Sequence, residues 1–136
     1  MDDCIFCKII KGDIPCIKVY EDENIISFLD IAPANKGHCL VMPKEHHETL
    51  VDAPEDIINY SMKVAKKIAR AMSSSLANEG FNVLINNNKV AGQLVPHLHI
   101  HIIPRFKGDS IRLNWSPKKY KDKEINEFAE NIKKFL

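Results

Sequence analysis

His97-Leu98-His99-Ile100-His101-Ile102-Ile103 is the stretch on which the reading of this chain turns. A β-strand sends alternate side chains to opposite faces, so the three His share one face, each roughly 7 Å from the next. Leu98, Ile100 and Ile102 share the other face, where they can pack as core. Such a strand needs neighbours, and the sequence offers them. Phe81-Asn82-Val83-Leu84-Ile85 lies upstream, and Cys39-Leu40-Val41-Met42 follows Gly37 and is stopped by Pro43. Ile17–Tyr20 and Ile25–Leu29 flank Glu21-Asp22-Glu23-Asn24, which reads as a hairpin with a polar turn. No repeated helical crossover separates these runs, so an antiparallel sheet is expected, in an α+β fold.

One long helix interrupts the strands. Ile58, Met62, Ala65, Ala69, Met72 and Leu76 recur at steps of four and three, the period of an amphipathic helix. Asp52 followed by Glu55 predicts a capping box, Pro54 suits the first turn, and Gly80 is the expected stop. Lys63, Lys66, Lys67 and Arg70 fall largely on the other, solvated side. A shorter C-terminal helix is expected with Ile125, Phe128, Ala129, Ile132 and Phe135 in register.

Composition limits what this assembly can be. The chain has 136 residues, 45% of them hydrophobic and 27% charged, which fits one ordinary domain spanning residues 1–136. At that length a core forms without a disulfide framework. The longest stretch lacking Asp, Glu, Lys and Arg, Val90–Pro104, is too short and too polar to span a bilayer. With no basic segment leading into an apolar one at the start, a reducing cytoplasm is the expected compartment. The 4 Cys are then better read as metal ligands or free thiols than as bridges. A net charge of +1 provides no long-range field for nucleic acid or membrane. A small partner is expected.

Two clusters carry chemistry. Three His on one strand face can be ligands of a single metal or can work on a substrate, and spacing does not choose between these. The nearby Asn86-Asn87-Asn88 and Ala91-Gly92-Gln93 favour the second, because a small-residue loop with amide donors lets backbone N–H groups approach a phosphate. The other cluster is Cys4-x-x-Cys7, a chelating spacing that supplies half of a metal site.

Taken together, these pieces resemble the histidine triad family of nucleotidyl hydrolases and transferases, in its Hint-like bacterial branch. The resemblance rests on His97-x-His99-x-His101 with Ile102 and Ile103, Cys4–Ile10 with Gly12–Pro15, Phe28–Ile31, Gly37-His38 through His46, and Gly92-Gln93. It implies a five-stranded antiparallel sheet, a homodimer, and purine nucleotides substituted at the α-phosphate, such as adenosine 5′-phosphoramidates, as substrates. By the same resemblance His99 is the nucleophile, and His101 and His38 flank the phosphate. Asp30 binds ribose, Asn86 lies near the nucleotide, Ile31 and Phe28 form the base pocket, and Gly92-Gln93 is the phosphate loop. A structural zinc is implied on Cys4, Cys7, His46 and His97, and no organic cofactor; the sequence itself leaves the neighbouring His47 open as the ligand in place of His46.

The pattern departs from the family at Leu94, where a Ser or Thr hydroxyl is usual. A Leu donates no side-chain hydrogen bond. Besides a phosphoramidase, the residues therefore accommodate a dinucleoside polyphosphate hydrolase, or a catalytically weak nucleotide-binding or interaction protein.

Overall fold

The computed structural model describes residues 3–136. In chain order the elements are α1 (Ile5–Lys11), β1 (Lys18–Glu21), β2 (Ile25–Leu29), β3 (Cys39–Pro43), α2 (Glu55–Leu76), β4 (Gly80–Leu84), β5 (Ile100–Arg105) and α3 (Glu124–Lys133). The strands form one antiparallel sheet in the order β1-β2-β3-β5-β4. This is the expected α+β architecture, with β3 and β5 near its middle.

Each face of the sheet carries its own apolar cluster. Ile25, Val41, Ile100 and Ile102 pack beneath Val64, Ala65, Ile68, Ala69 and Met72 of α2. Ile26, Phe28, Leu40 and Met42 pack with Cys4, Phe6 and Cys7 around α1. Leu40 stands opposite His101 in the β3–β5 register, so this second face is the histidine face. The chemistry is thus roofed by a helix.

That helix, α1, was not expected from the sequence, because seven residues are too few for a periodic signal. Local hydrogen bonds define it instead. Cys4 is its N-cap, its Sγ accepting from the Cys7 N–H at 3.4 Å. At the other end Gly12 takes the left-handed conformation (φ 89°), its N–H donating to the Ile9 carbonyl while Asp13 donates to Lys8. This is a Schellman closure, and Gly12 was its available sequence signal.

Three boundaries differ from expectation. The strand of the His motif begins at Ile100, because the Leu98 N–H is drawn off the ladder to the His47 carbonyl at 2.7 Å. The capping box is absent: Asp52 accepts instead from the Thr49 N–H (3.0 Å) and hydroxyl (2.6 Å), closing the turn before α2 and leaving Pro54 as N-cap. The helix ends on Ala77 in a left-handed conformation, and Gly80 opens β4 rather than stopping α2. Its buried stripe includes Ser61, Val64 and Ile68, whereas Met62 and Leu76 lie at its exposed margin. The C-terminal helix forms, yet none of its residues is buried.

Asp22 ties the first hairpin to α2. Its Oδ2 accepts from the Tyr20 hydroxyl (2.7 Å) and the Tyr60 hydroxyl (2.6 Å), and its Oδ1 from the N–H groups of Asn24 and Ile25 (both 2.8 Å). Burial alone would raise this carboxyl, but the Tyr60 and Tyr20 hydroxyls and the two backbone donors hold it well below the usual carboxylate range. A carboxyl depressed on folding stabilises the fold above its unfolded pKa, about 3.9, and that contribution is lost as pH falls toward the folded value. Asp22→Asn is therefore expected to lower stability at pH 7 by about 2 kcal/mol, the worth of a hydrogen bond to a charged group. Denaturant titrations at pH 7 and pH 3 check this. The gap between variant and parent should shrink at the lower pH.

Candidate active site and metal centre

The hydrogen bonds of His38, His99 and His101 assign each ring a proton position. His99 Nδ1 lies 2.6 Å from the His97 carbonyl, an acceptor only, so Nδ1 carries the proton and Nε2 keeps a free lone pair. The Ala34 N–H donates to His38 Nδ1 at 3.1 Å, which puts the proton of neutral His38 on Nε2. His38 Nε2 then donates to His101 Nδ1 at 2.9 Å, leaving His101 with its N–H on Nε2. One ring offers a free lone pair and its neighbour an N–H.

Burial favours the neutral form of these rings. Desolvation pushes His101 down to about 4, helped by the charges that His99 and His38 would carry. It lowers His38 as well, against a smaller upward pull from Asp30, and His99, against the hydrogen bond to the His97 carbonyl and then Asp30. The centroids of His99 and His101 are 4.8 Å apart. Asp30 Oδ2 stands 3.8 Å from His38 Nε2, while its Oδ1 accepts from the Ala32 N–H at 2.9 Å. Asp30, His38 and His101 are close enough to share a cation, but the Ala34 N–H occupies the His38 lone pair opposite the proton-bearing nitrogen. His38 and His101 are a hydrogen-bonded pair with the Asp30 carboxylate beside them.

His99 and His101 open into a cavity of about 300 Å³, walled by Ile5, Phe6, Phe28, Asp30, Ile31 and Leu94. The sequence-predicted Phe28 is buried at its base, and Ile31 is exposed at its rim. Leu94 lies at the mouth and is 88% exposed, so it is not core. The loop below is braced by its own side chains. Gly92 has φ 98° and closes the short 3-10 turn Lys89–Ala91, and its carbonyl accepts from Asn86 Nδ2 at 3.5 Å. Gln93 does not face the cavity: its Oε1 accepts from the Asn88 N–H (2.8 Å) and its Nε2 donates to the Glu48 carbonyl (2.6 Å). The Gln93 side chain thus braces the loop whose backbone N–H groups are the expected phosphate contact. A larger groove, about 980 Å³, lies elsewhere between α2 and β4 and holds no His.

The second cluster assembles from distant sequence. Cys4, Cys7, His46 and His97 place one donor atom each within 4.8 Å of one another. Cys4 Sγ and Cys7 Sγ lie 3.5 and 3.6 Å from His97 Nδ1, and Cys7 Sγ lies 3.3 Å from His46 Nδ1. Zinc with thiolate and imidazole ligands at 2.3 and 2.0–2.1 Å has S···N edges of about 3.5 Å in a tetrahedron, so the donor set fits. The His97 Nε2–H donates to the Pro43 carbonyl at 2.8 Å, which leaves Nδ1 free to ligate. Burial, and then the neighbouring Cys4, raise the Cys7 thiol, a cost that a bound cation would remove. His47 stands outside the cluster, 3.8 Å from Glu45.

Comparison with known proteins agrees with this geometry. The HIT domain model matches residues 11–108. The chain belongs to the HIT family. A crystal structure of a HIT family member from Bacillus subtilis superposes with a TM-score of 0.92 at 44% identity, covering 98% of this chain and 97% of that one. A Zn-bound histidine triad protein from Mycobacterium smegmatis does so with a TM-score of 0.78 at 42% identity, covering 86% and 85%. The adenosine 5′-monophosphoramidase of Schizosaccharomyces pombe is 40% identical over 95% of each chain. Among the described residues, no helix of this HIT protein is long and apolar enough to cross a membrane.

Proposed function

We propose that this HIT protein hydrolyses nucleoside 5′-phosphoramidates at the α-phosphate through a nucleotidyl-His99 intermediate. The observation that carries the reading is the His99 Nδ1 contact to the His97 carbonyl, which presents a neutral Nε2 lone pair to the cavity. In the first step Nε2 attacks the α-phosphorus, the P–N bond to the leaving amine breaks, and the amine takes up a proton. That proton comes from water, while the His101 Nε2–H hydrogen-bonds the phosphoryl oxygens or the leaving nitrogen and His38 holds the His101 ring through its Nδ1. Water then attacks the nucleotidyl-histidine, the new P–N bond breaks, and AMP leaves. Splitting one displacement into two lowers the barrier of each.

The walls suit the rest of such a substrate. Phe28 and Ile31 provide apolar contact for a purine, and Asp30 provides acceptor oxygens for ribose hydroxyls. Asn86 and Gly92 shape the phosphate side, with Gln93 holding their loop. Zinc at Cys4, Cys7, His46 and His97 would be structural, since four protein donors leave no position open. It would supply folding energy. No organic cofactor is required by these steps.

One domain over residues 1–136, acting in the cytoplasm as a homodimer, is the proposed working unit. The support for a dimer is the edge strand β4, with Phe81 and Val83 exposed beside the groove of α2. Neither a nucleic acid nor a membrane is called for at a net charge of +1. The test of function is a hydrolysis panel on purified protein. Turnover of adenosine 5′-phosphoramidate well above that of diadenosine tetraphosphate supports the proposal, the reverse order favours a polyphosphatase, and no turnover of either leaves a binding protein.

Leu94 sets the expected rate. Because it is exposed at the cavity mouth, a hydroxyl can replace it without disturbing the core. A hydrogen bond to a charged group is worth about 1.5–3 kcal/mol, or roughly one to two decades in rate if made only in the transition state. Leu94→Ser is expected to raise kcat/KM on adenosine 5′-phosphoramidate. An unchanged value in steady-state kinetics would mean that backbone donors suffice.

A further inference from the structure

Helix α1 belongs to both clusters. Its cap Cys4 and its Cys7 are metal donors, while Ile5, Phe6 and Ile9, from the same turns, wall the cavity of His99. Phe6 is 7% exposed and stands edge-on to three rings. Its centroid is 5.1 Å from His99 at 82°, 6.0 Å from His97 at 78°, and 5.8 Å from Phe28 at 70°. All three separations lie within the range of favourable edge-to-face aromatic pairs. One ring thus touches a metal donor, the free-lone-pair His and the cavity floor.

A second link runs through His97. Its Nδ1 faces the two sulfurs, its Nε2–H is fixed on Pro43, and its carbonyl receives the Nδ1–H of His99. A shift of the His97 ring pulls on the residue whose carbonyl aims His99. The metal donors and the nucleotide wall therefore cannot move independently.

We infer that the metal site and the nucleotide cavity are thermodynamically coupled, with Phe6 the positioning residue that carries the coupling. The inference rests on the reading of this cavity as a nucleotide site. Metal holds α1 down, α1 holds Phe6 against His99 and keeps Ile5 and Ile9 on the cavity wall, and a bound nucleotide in turn holds α1 against the metal. Linkage is reciprocal, so whatever factor zinc adds to nucleotide affinity, nucleotide adds to zinc affinity.

The test uses AMP and the full-length protein. Zinc affinity is measured by chelator competition with and without saturating AMP, alongside AMP affinity in zinc-loaded and zinc-free protein whose fold is monitored by circular dichroism. Both factors are expected to agree at roughly tenfold, within the usual range of coupling between sites. Phe6→Ala should bring the factor close to one while zinc and AMP each still bind, and Phe6→Leu should restore part of it. Where zinc-free protein unfolds, Co²⁺ loaded at the four donors gives the answer without that state. AMP should shift its visible bands in the parent and leave them in place in Phe6→Ala. AMP that binds but changes neither zinc affinity nor the Co²⁺ bands overturns the coupling alone. Failure of AMP to bind zinc-loaded protein overturns both the coupling and the nucleotide reading.

Discussion

His99→Ala is expected to abolish turnover of adenosine 5′-phosphoramidate, by roughly four to six orders of magnitude, while AMP still binds. The size follows from losing the atom that forms the covalent bond, since removing a nucleophile that works as a unit with its neighbours costs nearly all of the rate. AMP binding should survive because the apolar walls and Asp30 remain in place. The cost to the fold should be modest. His99 is buried against Phe6, but its one side-chain hydrogen bond goes to a neighbouring carbonyl and its loss leaves no charge unpaired. A His99→Ala protein with full activity would remove the proposed mechanism.

The second large effect concerns metal. Protein purified without added metal should contain close to one zinc per chain, and Cys4→Ser/Cys7→Ser should lose it. That double variant is expected to melt on the order of 10 °C lower. Structural zinc contributes folding energy directly, and in a domain of this size each kcal/mol moves Tm by about 4 °C. Because the closed site provides no reacting group, metal loss should lower Tm far more than kcat at low temperature, with the weakened nucleotide affinity appearing in KM. Elemental analysis and thermal melts decide. Well-folded protein devoid of zinc would exclude the site.

The parts of this molecule that were legible in the sequence are those that repeat or alternate. His97, His99 and His101 alternate strictly, and α2 repeats every three or four residues from Ile58 to Leu76, so both could be placed from the sequence. Helix α1 has neither property, being fixed by a cysteine cap and a Schellman turn; its role as the roof of the histidine face could not be read. The metal cluster was half legible. Cys4 and Cys7 are adjacent on the chain, but His46 and His97 join them only after the sheet has folded. Gln93 shows the converse limit. Its place in a small-residue loop was legible, whereas the side-chain hydrogen bonds to Asn88 and Glu48 that brace that loop form only in the fold.

α3 marks the same boundary between pattern and packing. Ile125, Phe128 and Ile132 have the spacing of a buried stripe, yet each is more than half exposed. Helical period specifies an apolar face; it does not specify what covers it.

Covalent nucleotidylation of His99 is the step on which the proposed mechanism turns. Rapid acid-free quenching of the protein during turnover of adenosine 5′-phosphoramidate, followed by peptide mass spectrometry, tests this directly. An adenylyl group on the peptide containing His99, absent in His99→Ala and lost on continued incubation in water, is the expected result. Turnover without any adenylylated peptide at single-turnover times, or with the adduct on another residue, would contradict it.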